Sequence, residues 1–70
     1  MNDHITIFVN GIRIRIYRGM KVKHALIARD YLLYAAALEG RLAVYDDSGF
    51  RVGLEGALHD GARITTREVA

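Results

Sequence analysis

The residues best equipped to recognise another molecule stand in the first half of this sequence. Phe8, Arg13, Arg15 and Tyr17 occupy two short runs whose spacing sets them on one side of a strand pair, with Arg18, Lys21 and Lys23 just beyond. A guanidinium is a planar fork of donors that fits carboxylate or phosphate, and an aromatic ring adds stacking area. Three readings fit. The residues contact a protein surface; they bind single-stranded RNA, with arginines on phosphates and Phe8 or Tyr17 under bases; or they form a solvated face whose charges keep strand edges apart. A second candidate is Tyr31-Leu32-Leu33-Tyr34-Ala35-Ala36-Ala37-Leu38, apolar around more than one helical face. Tyr31 and Tyr34 there belong to a dimer or partner seam, or lie half-buried with their hydroxyls in water.

Catalytic groupings are missing by residue type and spacing. The absence of cysteine removes disulfides, thiolate zinc sites, Cys nucleophiles and ordinary iron–sulfur ligation. His4, His24 and His59 show no metal-ligand spacing, so no metal is expected. Asp46 and Asp47 are adjacent and diverge in a turn; with Ser48 and Gly49 they read as turn formers. Ser48 has no neighbouring histidine to activate it. Gly53, Gly56 and Gly61 do not join a strand to a helix, which leaves phosphate cradling unsupported. The expectation is a non-enzyme without cofactor, whose interaction residues are Phe8, Arg13, Arg15, Tyr17, Arg18, Tyr31 and Tyr34.

Seventy residues, 51% of them apolar, are enough for one small domain spanning 1–70. The longest apolar runs are too short to cross a bilayer, and Met1-Asn2-Asp3-His4 lacks a signal peptide's basic and apolar regions. A cytoplasmic location is the corresponding expectation. Ten Lys+Arg against eight Asp+Glu leave a net charge of +2. Residues 1–35 hold six bases and two acids, residues 36–70 four bases and six acids, an asymmetry able to orient a partner.

The elements that position these groups begin with two alternating runs. Ile5, Ile7 and Val9 oppose His4, Thr6 and Phe8; Ile12, Ile14 and Ile16 oppose Arg13, Arg15 and Tyr17. Asn10-Gly11 between them suits a two-residue type I′ turn, which pairs Val9 with Ile12, Ile7 with Ile14 and Ile5 with Ile16. All six β-branched residues then face the core, and Phe8 lies opposite Arg13 within cation–π reach. From Lys21 to Glu39 the pattern is helical, with Val22, Ala25, Leu26 and Arg29 on a face continuing through Leu32 or Leu33 to Ala36. Asp30 either lies inside one long helix or caps a second, and two pieces suit a small sheet better. Gly40 terminates the helical region. Strands follow at Arg41–Tyr45, Phe50–Val52 and Ala62–Val69, with Leu54 and Leu58 anchoring the irregular stretch before the last. The order β-β-α-β-β-β predicts an α+β, β-grasp (ubiquitin-like) roll: a mixed sheet with an N-terminal hairpin, helix on one face and solvent on the other.

Two segments carry a resemblance. Ile5-Thr6-Ile7-Phe8-Val9-Asn10-Gly11 resembles the opening of β-grasp sulfur carriers and of ferredoxin-like domains. Leu54-Glu55-Gly56-Ala57-Leu58-His59-Asp60-Gly61-Ala62-Arg63-Ile64 resembles the closing segment of sulfur carriers and TGS domains. The resemblance implies the scaffold, while each family's chemistry meets a departure. Sulfur carriers look to a C-terminal Gly-Gly, and this sequence closes with Arg67-Glu68-Val69-Ala70; ferredoxin-like domains need cluster cysteines. What remains is an accessory or protein-interaction module, through another protein or self-association, with a TGS-like RNA-binding module using the outer face of the first hairpin as the alternative.

Overall fold

The computed structural model describes residues 3–69. Asn10 and Gly11 turn with φ of 52° and 82°, the left-handed pair that a type I′ turn requires and that Asn-Gly adopts at least cost. The turn joins strands β1 (His4–Val9) and β2 (Ile12–Tyr17), whose register pairs Val9 with Ile12, Ile7 with Ile14 and Ile5 with Ile16, as expected. Helices α1 (Val22–Arg29) and α2 (Tyr31–Leu38) follow, then β3 (Leu42–Tyr45), β4 (Arg51–Val52) and β5 (Arg63–Glu68). The strands form one mixed sheet in the order β2-β1-β5-β3-β4, with β1 and β5 parallel and the other pairs antiparallel. No helix among the described residues is long and apolar enough to cross a membrane.

The helical region is two helices, and Asp30 is the reason. Its backbone is extended; its N–H donates to the Leu26 carbonyl, ending α1, while its carboxylate accepts the Leu32 N–H at 2.9 Å, starting α2. The break lets α1 pack on the hairpin and α2 on β3. A Schellman arrangement closes α2: the Gly40 N–H donates to Ala37 and the Arg41 N–H to Ala36, with Gly40 at φ 83°. The start of α1 has no side chain of the usual capping types. The Val22 and Lys23 N–H groups instead donate to the Gly56 and Leu54 carbonyls, and His24 Nδ1 accepts the Lys21 N–H at 2.9 Å. A loop distant in sequence therefore caps this helix.

The core lies between the helices and the inner sheet face. Ile5, Ile7 and Val9 of β1, Ile16, Val22, Ala25, Leu26, Val44, Ala62 and Ile64 fill it, with Leu54 and Leu58 packed at its border. Burying each large aliphatic side chain contributes about 1.5–3 kcal/mol. The six β-branched residues of the hairpin do not all belong to it: Ile14 is half-buried and Ile12 is 49% exposed. β2 is an edge strand, and neither helix reaches over its first residues. Arg29 and Leu32 are exposed as well, because the break at Asp30 ends the common helical face that a continuous helix would have carried past them.

Candidate functional site

Strand alternation and register decide which side chains share the outer sheet face. β2 contributes Arg13, Arg15 and Tyr17, paired with Phe8, Thr6 and His4 of β1. The parallel register of Phe8 with Arg63 adds Arg63, Thr65 and Arg67 of β5. Pairing of Thr65 with Tyr45, and of Tyr45 with Arg51, carries the face through β3 to β4. Five arginines thus share one face with Phe8, Tyr17 and Tyr45, and helices cover only the other side. Arg13, Arg15, Arg51, Arg63 and Arg67 are all exposed, and none has a carboxylate partner among the described residues.

Phe8, Arg13, Arg15 and Tyr17 are therefore brought together as the hairpin pattern requires, but the cation–π pairing differs from expectation. Arg63, not Arg13, lies over the Phe8 ring, 4.2 Å from its centroid. β5 reaches Phe8 from the opposite side of β1, a parallel pairing that hairpin spacing does not reveal. Arg67 sits over Tyr45 at 5.5 Å, and Tyr17 packs on His4 with ring centroids 4.3 Å apart. Each outer-face ring is thus in contact with a neighbouring cationic or imidazole side chain. Two of these contacts hold planar guanidinium groups over rings.

Arg18 follows the end of β2, exposed, with its N–H on the Asp3 carbonyl. Tyr31 and Tyr34 lie apart from this group, on α2. Their rings pack at 5.7 Å, Tyr34 partly buried against the core and Tyr31 62% exposed. The charge asymmetry along the chain is not a spatial division, because Arg51, Arg63 and Arg67 of the acidic half join the basic hairpin. The strands expected at Phe50–Val52 and Ala62–Val69 include Arg51 and Arg63 with Arg67 respectively, but nothing in the sequence shows which strand β5 would join.

Other polar groups have structural duties. Asp46 Oδ1 accepts the Ser48 and Phe50 N–H groups, the turn role expected of it. Asp60 Oδ1 accepts the Thr6 N–H at 2.7 Å, and the Gly61 N–H returns to the Thr6 carbonyl. Asn10 also does more than turn the chain. Its Oδ1 accepts the Thr66 N–H and its Nδ2 donates to Thr66 Oγ1, both at 2.9 Å, tying the hairpin tip to β5. Lys23 Nζ and Glu55 Oε2 meet at 2.6 Å. That hydrogen bond raises the Lys23 ammonium and lowers the Glu55 carboxyl from their ordinary pKa values. No group of three His, Cys, Asp or Glu among the described residues is placed to hold a metal ion. No protein-family model, curated protein or solved structure matches the chain.

Proposed function

We propose that this chain is a non-catalytic β-grasp interaction module whose working surface is the outer face of its sheet. The strand order, with the hairpin joined to the last strand through parallel β1 and β5 and helices on one side, supports the β-grasp reading. The observation that carries the functional reading is the assembly of Arg13, Arg15, Arg51, Arg63 and Arg67 on one exposed face without carboxylate partners among the described residues. Such a face attracts an acidic partner and orients it on approach.

The partner is an acidic protein surface. Single-stranded RNA is the second reading, favoured by aromatics among the arginines, but contacts to Arg63, Arg67 and His4 leave those rings less open to stacked bases. Fluorescence anisotropy with labelled polyglutamate and labelled oligouridine separates the two. Polyglutamate should be held more tightly at physiological salt, and Arg63→Gln with Arg67→Gln should weaken it. Tighter oligouridine binding, lost steeply with added salt in proportion to the arginines present, would favour RNA instead.

A further inference from the structure

Strand β2 is an edge of the sheet, and the space beside it is shaped. In the hairpin register Ile12, Ile14 and Ile16 exchange hydrogen bonds with β1, so the N–H groups of Arg13, Arg15 and Tyr17 and the carbonyls of Arg13 and Arg15 point away from the sheet. The Arg18 N–H on Asp3 continues the inward pattern, and the Tyr17 carbonyl is taken by the Met20 N–H. Next to this edge, between β2 and α1, lies an open, mainly apolar cleft of about 310 Å³ whose lining includes Arg15, Ile16 and Tyr17 of β2 and His24, Ile27 and Ala28 of α1. Ile27 and Tyr17 are among the exposed large side chains.

We infer that the β2 edge binds an extended segment of a partner protein that adds a strand to the sheet, with acidic side chains alternating with aliphatic ones. This rests on the protein-partner reading above and names the partner's chemistry. Side chains of an added strand alternate between faces. Those opposite Arg13 and Arg15 fall on the outer face, where carboxylates complement the guanidinium groups. Those opposite Ile14 and Ile16 fall on the helix side, where the cleft receives aliphatic groups against Ile27 and Ala28. The exposed edge of Ile12 and half-buried Ile14 become covered in the same step. A second copy of this chain is a poor occupant, since pairing β2 with itself brings Arg13 and Arg15 against their own kind. The two arginines therefore block self-pairing and select an acidic strand.

The test is a ¹H–¹⁵N NMR titration with a synthetic peptide alternating valine and glutamate, about eight residues long to match ordinary strands. The result expected is saturable binding with slowed hydrogen exchange at the Arg13, Arg15 and Tyr17 amides. Ile27→Gln, at an exposed helix position, and Arg13→Gln with Arg15→Gln should each weaken binding about tenfold. A peptide alternating valine and lysine should not bind. Absence of binding, equal binding of the lysine peptide, or binding without protection of the edge amides each overturns the inference. Retained glutamate-peptide binding that responds to Arg63→Gln with Arg67→Gln but not to Ile27→Gln overturns it while leaving the outer-face reading in place.

Discussion

Asn10 shows how much one residue can carry. A turn at this point needs only left-handed backbone, which glycine supplies as well as asparagine, yet the two side-chain hydrogen bonds to Thr66 need the amide. Asn10→Gly should preserve the hairpin register and cost about 1–2 kcal/mol in chemical denaturation, from two exposed hydrogen bonds. Preserved stability would show that the tie to β5 contributes nothing. The turn was legible in the sequence because Asn-Gly is a local signal. The tie was not, because its partner lies 56 positions away. The Lys23–Glu55 pair is equally distant from any local pattern. The lowered Glu55 pKa gives a contribution present above the unfolded carboxylate value and lost as pH falls through the folded one. Raised Lys23 loses its contribution only as pH climbs through its own folded value in the alkaline range. Stability curves of the native chain and of Glu55→Gln should therefore converge on acidification; a constant gap across the acid range would contradict the pairing.

At the scale of elements, period and punctuation revealed the strands of the hairpin, the two helices and the break between them. Asp30 could be read as a cap since its side chain acts on its own neighbours. The start of α1 could not be read the same way, because Gly56 and Leu54 carbonyls do the capping from across the fold. Nor did alternation show where the core stops along β2. Ile12 follows the same pattern as Ile16 but stands at the turn end of edge strand β2, where it is left exposed. Ile12→Ala should therefore cost less than about 1 kcal/mol, whereas Leu26→Ala, at a fully buried position in α1, should cost about 2–5 kcal/mol. Comparable losses in thermal unfolding at the two sites would mean that the hairpin tip is covered after all.

For the whole molecule, sheet topology matters more than chain position. The hairpin alone presents Arg13 and Arg15; parallel β5 and antiparallel β3 and β4 enlarge this to five arginines on one face. That surface was half legible, since the first hairpin announces itself and the parallel pairing that extends it does not. The measurement that tests its role most directly is affinity capture from the protein's own cell extract, comparing the native chain with two variants. One replaces Arg13, Arg63 and Arg67 by glutamine on the outer face; the other replaces the exposed Arg29 and Arg41 away from it. The native chain and the second variant should retain the same acidic protein, with nuclease treatment making no difference, and the first variant should lose it. Retention by the outer-face variant, or release of the partner by nuclease, would contradict the account.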